Sequence, residues 1–306
     1  MKRIISLVLL LSVCALVLAS CGGGSTEKEY TLAIGVQVTD ELDEAKVSET
    51  VATVVADKDG KIVACRIDAI DFAAELKDGS VVVNAPVSKA EKGDGYGMVA
   101  WGGAKAEWYA QAEAFETYVV GKTLAEVKAI ALGADGKPTD TELTAGCTIA
   151  VTDFVLAIEK AFASTKKVNF KADGDIKAGV SAKGAIDDDG NYVVDFAGVV
   201  TVDNTVVAAI IDSTSVTASV SVTDGALTAT ASTYKGTKLE LGDDYGMVAW
   251  GGAKAEWYTQ AQTFANTAVG KTVSQVSSLA TEGIAGCTID VEGYKVALVA
   301  AAGFVR

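Results

Sequence analysis

The chain has 306 residues, of which 50% are hydrophobic and none is histidine. Its 26 basic and 40 acidic residues give a net charge of −14, and such a surface repels phosphate backbones, so nucleic-acid binding is disfavoured. The absence of histidine excludes Ser-His-Asp and Cys-His catalysis, histidine-ligated zinc and c-type haem attachment.

Residues 1–20 have the features of a secretory signal. A short basic start precedes an apolar stretch that is too short for a spanning helix with normal flanks, and Leu-Ala-Ser leads into Cys21. This ending resembles a bacterial lipobox, in which cleavage leaves the cysteine diacylated. We predict a lipoprotein signal peptide at 1–20, a flexible tether at 21–29 and an extracytoplasmic chain anchored to the cell membrane through Cys21. The alternative is an ordinary cysteine near a conventional cleavage site.

The segment Tyr96–Phe115 returns at Tyr245–Phe264 with changes at three of twenty positions. Each copy leads into Val-Gly-Lys-Thr and then Ala-Gly-Cys-Thr-Ile. We therefore predict two repeats of one domain, at 30–165 and 166–306. Because core packing tolerates drift, near-verbatim retention of polar residues indicates either recent duplication or a demand on particular side chains. The sequence leaves both explanations open.

The first half of each repeat is predicted to be antiparallel sheet. A hairpin is expected at 51–68 around an Asp-Gly turn, and its counterpart at 192–212. Asp68 and Asp212 then stand at equivalent strand ends. Alternating valine and threonine predict further strands at 80–87, 215–222 and 226–232.

The second half of each repeat is predicted to be helical. Apolar residues recur there at helical spacing: Trp108, Ala112, Phe115 and Val119, and in the second copy Trp257, Ala261, Phe264 and Ala268. Gly121 and Gly270 are expected to end these helices, and Thr-x-x-Glu or Thr-x-x-Gln capping boxes to open the next ones. A last helix is expected at 152–163 and 292–302. The fold class is α+β, with two tandem repeats, each an antiparallel sheet packed with two to three helices.

Two glycine-rich patterns suggest nucleotide binding, and both fail. A phosphate loop needs a glycine where Glu116 and Ala265 stand, and it follows a strand rather than a helix. The run from Gly93 has Met98 in place of the third glycine of a dinucleotide fingerprint.

A hydrolase is also disfavoured, because the carboxylates at 187–189 fall in a predicted turn and no nucleophile has a partnered base.

Aromatic residues surround the loop ahead of each repeated helix. They are Tyr96, Trp101 and Trp108, with Tyr245, Trp250 and Trp257 in the second copy. These rings are candidates for a stacking wall against a planar ligand. The alternative is that they only pack the helix onto the sheet.

The Ala-Gly-Cys-Thr-Ile motif is the most specific signal in the chain. An acidic residue precedes each threonine by six positions, Glu142 before Thr148 and Glu282 before Thr288. Each threonine lies on a glycine turn just ahead of an alanine-rich helix, where a phosphate ester is electrostatically tolerated. The alternative is a glycine turn and cap without a ligand.

Three cysteines follow Cys21: Cys65, Cys147 and Cys287. They form no C-x-x-C pair. Cys147 and Cys287 occupy matching places in the two repeats, so we expect them to lie apart rather than bond. Small buried thiols are the predicted role of all three.

The order of hairpin, Tyr-Gly-Met, Glu-Trp-Tyr-x-Gln-Ala and Gly-x-Thr resembles the FMN-binding domain of bacterial extracytoplasmic redox lipoproteins. The same domain type occurs in the C subunit of the sodium-pumping NADH:quinone reductase. The resemblance implies that a flavin transferase esterifies FMN onto Thr148 and Thr288. The motif residues Gly146, Gly286, Cys147 and Cys287 would then lie at the cofactor, and the aromatic residues Trp101, Trp250, Tyr96 and Tyr245 of the stacking wall are the candidates to cover it. Ala145 and Ala285 replace the serine of the family motif, and the two cysteines replace its alanine.

Two classes of function follow from these observations. The first, slightly favoured, is an electron carrier in which two FMN groups on one anchored chain connect a membrane donor to an extracellular redox partner. The second is a non-catalytic surface lipoprotein that binds a small ligand or a partner protein on a scaffold that has lost its cofactor. In both cases a carrier or binding protein is expected rather than a turnover enzyme.

Overall fold

The computed structural model describes residues 27–41, 45–83, 85–217, 220–223, 226–229 and 234–306. The predicted signal peptide and Cys21 lie outside this part of the chain. Within the described ranges, no helix is long and apolar enough to cross a membrane. The predicted α+β class is confirmed, because antiparallel sheets carry separate helices in both repeats.

The strands form two main antiparallel sheets, in the orders β4-β3-β2-β1-β5 and β6-β7-β8, and a small hairpin of β9 and β10. Although β5 follows the last helix of the first repeat, it pairs with β1, so the second half of the chain completes the first sheet. The strands are β1 (Lys28–Glu41), β2 (Lys46–Asp57), β3 (Ile62–Lys77), β4 (Ser80–Val83), β5 (Val168–Ala172), β6 (Lys177–Ile186), β7 (Tyr192–Val202), β8 (Thr205–Val216), β9 (Val220–Thr223) and β10 (Ala226–Ala229).

Both predicted hairpins are present, as β2–β3 and β7–β8. The strand predicted at 80–87 is shorter than expected, because β4 ends at Val83 and Val87 forms only an isolated bridge to Lys183. Pro86 lies between them and lacks the N–H that a strand ladder needs.

The helices follow the sheet in each repeat. They are α1 (Lys89–Lys92), α2 (Trp108–Val119), α3 (Leu124–Lys128), α4 (Thr141–Thr144), α5 (Thr152–Ala163), α6 (Lys238–Leu241), α7 (Trp257–Ala265) and α8 (Glu292–Gly303), with 3₁₀ helices at Gly93–Tyr96, Gly242–Tyr245, Asn266–Ala268 and Val273–Ser278. The capping box at Thr123 opens α3 as predicted, but the one at Thr272 opens a 3₁₀ helix. The segment after Thr272 is rich in valine and serine, which favour an α-helix less than the leucine, alanine, glutamate and lysine of α3.

The two sheets pack face to face, and each carries its helices on the outer side. On β2, Val51 belongs to the core shared with the second sheet, whereas Ala52 belongs to the core formed with α2 and α5. The stacked rings of Phe72 and Tyr192, with centroids 4.6 Å apart, join the sheets. The layers are therefore helices, sheet, sheet and helices, and the two repeats share one hydrophobic core.

Glycines allow the closest approaches between these layers. A Cβ atom at Gly35 of β1 would overlap the carbonyl oxygen of Ala157 in α5. A Cβ atom at Gly179 of β6 would overlap that of Ala301 in α8. Each repeat thus lays its last helix directly on the backbone of a strand, and alanine at either glycine would push the helix away.

Candidate functional site

The near-identical segment of the two repeats folds a loop back onto a helix. Glu107, the N-cap residue of α2, accepts hydrogen bonds from the backbone N–H groups of Met98 and Val99 at 2.9 and 3.0 Å. Glu256 makes the same two bonds in the second repeat, each at 3.0 Å. Because a carboxylate binds backbone N–H groups strongly, these bonds fix the loop that contains Trp101 or Trp250.

A glutamine one turn further along the helix holds the threonine motif. The Gln111 Oε1 atom accepts the backbone N–H and the hydroxyl of Thr148 at 2.9 and 3.0 Å, and its Nε2 donates to the carbonyl of Ala106 at 2.9 Å. Gln260 binds Thr288 in the same way, at 2.8 and 3.0 Å. The aromatic loop and the threonine turn are thus both fixed to the N-terminal end of the same helix.

The retained polar side chains make equivalent contacts in the two repeats. Glutamate and glutamine make the same hydrogen bonds in both copies, and the tyrosine between them donates to an aspartate, Tyr109 to Asp94 and Tyr258 to Asp243, at 3.0 Å. Each residue of the Glu-Trp-Tyr-x-Gln motif therefore has a defined structural contact. These contacts give the repeated side chains a structural role that needs no ligand, and they are compatible with recent duplication as well as with a demand on particular side chains.

We expect Gln111→Ala to loosen the threonine turn of the first repeat only. The substitution leaves the N–H of Thr148 and the carbonyl of Ala106 without their partner, which costs about 1–3 kcal/mol. Hydrogen exchange at the Thr148 amide should accelerate while exchange at Thr288 stays unchanged, and Gln260→Ala should give the reverse pattern. Equal exchange at both amides in either variant would show that the glutamines do not hold the turns.

The two buried tryptophans pack the helices, as predicted by the alternative to a stacking wall for a planar ligand. Trp108 and Trp257 are only 5% and 2% exposed. The outer side of this aromatic wall holds a lysine of the same chain, because the Lys89 ammonium lies 5.5 Å from the ring centroid of Tyr96 and 5.9 Å from that of Trp108. The rings around the equivalent Lys238, at 5.4–5.7 Å, are those of Tyr245, Trp257 and Tyr294.

Sequence reasoning missed these two lysines. Each stands at the first position of a short helix whose N-cap is Ser88 or Thr237, and the glutamate three residues after the cap completes a Ser/Thr-Lys-x-Glu pattern. The capping pattern just ahead of each repeated segment was the available signal. The lysine that follows the cap in both copies, Lys89 and Lys238, could have been recognised as a further duplicated polar residue.

Trp101 and Trp250 lie on the surface, with 82% and 81% of their area exposed. One side of each indole rests on the glycine four residues earlier, since a Cβ atom at Gly97 or Gly246 would overlap the ring. Both glycines have positive φ angles, +82° and +77°, which other residues adopt only with strain. The loop therefore holds each indole in place with its other side open to solvent.

Thr148 and Thr288 are exposed, and they precede the helices that start at Thr152 and Glu292. Each hydroxyl donates a hydrogen bond to a glutamine, at 3.0 Å in both repeats. Gly146 lines an open groove of about 600 Å³ beside α2.

The other implied flavin residues lie around the helix end rather than over the threonines. The face of Tyr96 carries lysine ammonium groups, and Trp101 projects into solvent. These residues are therefore compatible with attachment of a flavin. In the part of the chain that the structure describes, they do not form a pocket that encloses the flavin ring.

The three cysteines of the described chain are free. Cys65 and Cys147 are buried as predicted, but Cys287 is only partly buried, and burial raises the pKa of all three thiols. Leu143, a buried residue of α4 in the same core cluster as Cys147, is replaced by Gly283 in the second copy. Raised pKa values disfavour the reactive thiolate, so a structural role fits these side chains best.

The buried aspartates Asp68 and Asp212 also have a structural role, but they lie within β3 and β8 rather than at strand ends as predicted, because these strands continue to Lys77 and Val216. The Oδ1 atom of Asp68 accepts the N–H of Ala90 at 3.0 Å, and that of Asp212 accepts the N–H of Leu239 at 3.0 Å. Asp68 thereby connects β3 to α1, and Asp212 connects β8 to α6 in the same way. Burial raises the pKa of Asp68 to about 6 and that of Asp212 to about 7.

Comparison with known protein families, with curated proteins and with solved structures finds no match in any of the three. The assignment of function consequently rests on the geometry of the duplicated loops and on the motifs described above.

Proposed function

We propose that the chain is a membrane-anchored extracytoplasmic binding protein that presents two copies of one aromatic contact element. The elements are the loops around Trp101 and Trp250. The observation that carries the proposal is the exposure of both indoles, above 80%, at equivalent positions of the two repeats. Tryptophan is among the residues that contribute most to binding energy in interfaces, and leaving it in water forgoes a large gain from burial.

The rigidity of the loops supports the same proposal. Glu107 fixes the backbone of the loop, and Gly97 supports the indole from below. A preorganised contact residue loses little conformational entropy when a partner binds, so more of the contact energy appears as affinity. Exposed binding residues on a loop that a rigid scaffold positions are a common arrangement in binding proteins.

Anchorage through Cys21 belongs to this proposal. β1 begins at Lys28, so seven residue steps connect the lipidated cysteine to the folded chain and span at most about 25 Å. Such a tether would keep the start of β1 within this distance of the outer face of the membrane. With a net charge of −14, attachment through lipid is favoured over attraction to anionic headgroups.

Oxidative footprinting tests the proposal. In purified protein, N-bromosuccinimide should oxidise Trp101 and Trp250 and spare the buried Trp108 and Trp257. On intact cells of the native host, the two exposed tryptophans should be protected about tenfold, because contact residues in an interface are desolvated.

The matched control is Val296→Trp, which places a reporter at a position of α8 that is 53% exposed and lies outside both loops. The added tryptophan should react equally in purified protein and on cells. Unprotected Trp101 and Trp250 on cells would refute a contact function for these loops.

A second candidate is the electron carrier that the FMN-domain resemblance implies. It is favoured by one observation, the exposure of Thr148 and Thr288 on equivalent turns. Coexpression with a flavin transferase should then add one FMN mass for each threonine, and Thr148→Ala and Thr288→Ala should each remove one. An unchanged intact mass would exclude the covalent carrier and leave the binding protein.

A further inference from the structure

Aromatic rings of this chain repeatedly hold lysine ammonium groups. Six lysines lie 3.7–5.9 Å from the centroids of eight rings: Tyr96, Trp108, Tyr118, Tyr234, Tyr245, Trp257, Tyr258 and Tyr294. The attraction comes from the negative face of the ring, and it is strongest for tryptophan. Contact between a cation and an aromatic face is thus a recurrent interaction in this fold.

Trp101 and Trp250 differ from these rings. Among the described residues, no lysine or arginine lies over either indole, although both rings are over 80% exposed. Lys105 and Lys254, four positions further along, are exposed but do not cover them. The strongest cation-binding rings of the duplicated loops therefore remain open to a cation from outside.

The net charge of the chain, rather than the charge of the loops, favours such a cation, since exposed Lys92, Lys105 and Lys254 stand in the same segments as the aspartates. Exposed carboxylates stand in the 3₁₀ turn before each supporting glycine, namely Asp94 in the first repeat and Asp243 and Asp244 in the second. The chain as a whole carries a net charge of −14. An acidic surface attracts basic partners and repels acidic ones, and the effect decreases with salt.

We propose that Trp101 and Trp250 each bind a guanidinium or ammonium group of a basic polypeptide partner, which stacks on the open face of the indole. The inference rests on the proposed function, because it names the chemistry of the partner that the two loops contact. The acidic surface attracts the partner over a long range. The indole then makes a short-range contact whose strength depends on where the cation lies over the ring. Two equivalent loops imply two such contacts on each chain.

Calorimetric titration of the purified mature protein with nona-arginine at 150 mM salt tests the inference. Two peptides should bind each chain, and Trp101→Ala or Trp250→Ala should weaken one of the two sites about tenfold and leave the other unchanged. The double variant should bind about tenfold more weakly, since loss of a cation–π contact removes up to roughly 2 kcal/mol. Trp101→Phe with Trp250→Phe should fall between, because phenylalanine keeps a weaker aromatic face.

The double alanine variant keeps the charge of the chain, and both substituted positions are exposed, so folding is not at risk. Val296→Ala, on a surface outside the loops, should bind as the unmodified protein does. Equal affinity of the double variant and the unmodified protein would show that charge alone binds the peptide and would overturn the inference.

Chitohexaose, a neutral oligosaccharide, separates this inference from the proposed function. Binding of chitohexaose that requires the tryptophans, without tryptophan-dependent binding of nona-arginine, would refute the cationic partner and retain the contact function. Absence of binding by both probes, together with unprotected tryptophans on cells, would refute both.

Discussion

Glu116→Ala is expected to lower the free energy of unfolding by about 3–5 kcal/mol, because it leaves a buried guanidinium without its partner. Glu116 is 3% exposed and accepts hydrogen bonds from Arg66 at 2.5 Å and from the N–H of Ile67 at 2.7 Å. Arg306, at the end of the second repeat, also donates to it at 2.9 Å. The carboxylate therefore holds together a strand and a helix of one repeat and the last residue of the other.

The second repeat provides the matched comparison. Its equivalents of Arg66 and Glu116 are Ile210 and Ala265, both buried and apolar. The double variant Arg66→Ile with Glu116→Ala should therefore be less destabilised than Glu116→Ala alone, since no unpaired charge remains in the interior.

Urea unfolding measures all three proteins. Glu113→Ala serves as the control, because Glu113 meets Arg306 at 3.5 Å on an exposed surface and should contribute less than about 1 kcal/mol. A double variant that is at least as unstable as Glu116→Ala alone would show that the unpaired guanidinium is not the cause of the loss.

Glu49 is expected to make the protein less stable as the pH rises from 5 to 9. This residue of β2 is fully buried in the core shared by the sheets, and its Oε2 accepts the hydroxyl of Thr214 at 2.6 Å. Its Oε1 has no hydrogen-bond partner within the described chain. Burial raises the pKa of Glu49 from 4.5 to about 8, so the carboxyl is mostly neutral at pH 7.

The direction of this effect follows from proton linkage. A folded-state pKa above the unfolded value means that the folded state binds the proton more tightly, so the stabilisation is complete below pH 4.5 and is lost as the pH rises towards 8. A tenfold difference in proton affinity between the two states corresponds to about 1.4 kcal/mol, which gives a loss of several kcal/mol for this residue. Burial raises the pKa values of Asp68 and Asp212 in the same direction.

Glu49→Gln should reduce this slope by the share that Glu49 contributes and leave the share of Asp68 and Asp212, because the amide oxygen can still accept the hydroxyl of Thr214 and cannot ionise. Urea unfolding at pH 5 and pH 9 should show the variant more stable than the unmodified protein at pH 9 only. Glu75→Gln, at an exposed position of β3, is the control and should leave the slope unchanged. A variant with the original slope would locate the pH dependence elsewhere.

Local sequence patterns were sufficient for the hairpins and for the main helices. Asp-Gly and Asp-Asn turns determine β2–β3 and β7–β8, and the stripe that begins at Trp108 is buried in α2. These elements are predictable because a turn or a helical period depends on residues that are close together in the chain.

Elements that depend on distant contacts were not predicted. β6 is rich in alanine and glycine, which have weak strand preference, and it is a strand because α8 and the first sheet cover its two faces. β5 is short, and its pairing with β1 joins segments about 140 positions apart. The packing of two sheets into one core leaves no periodic signal, because each sheet alone needs only an apolar face.

In the candidate site too, the local features were predictable and those that depend on tertiary contacts were not. The sequence identified Thr148 and Trp101 as notable, but their different environments are tertiary facts, because one hydroxyl binds Gln111 and the indole rests on Gly97. Lys89 lies over Tyr96 only after the third strand and α1 have packed. Which aromatic residues are open and which are covered could therefore not be read from spacing.

Photo-cross-linking on intact cells of the native host tests the central claim most directly. A benzophenone amino acid is placed at position 101, at position 250 or, as the control, at position 296, and adducts are identified by mass spectrometry after irradiation. Contact through the duplicated loops predicts one and the same partner at 101 and 250, and none at 296. The absence of an adduct at 101 and 250, or equal adducts at all three positions, would contradict it.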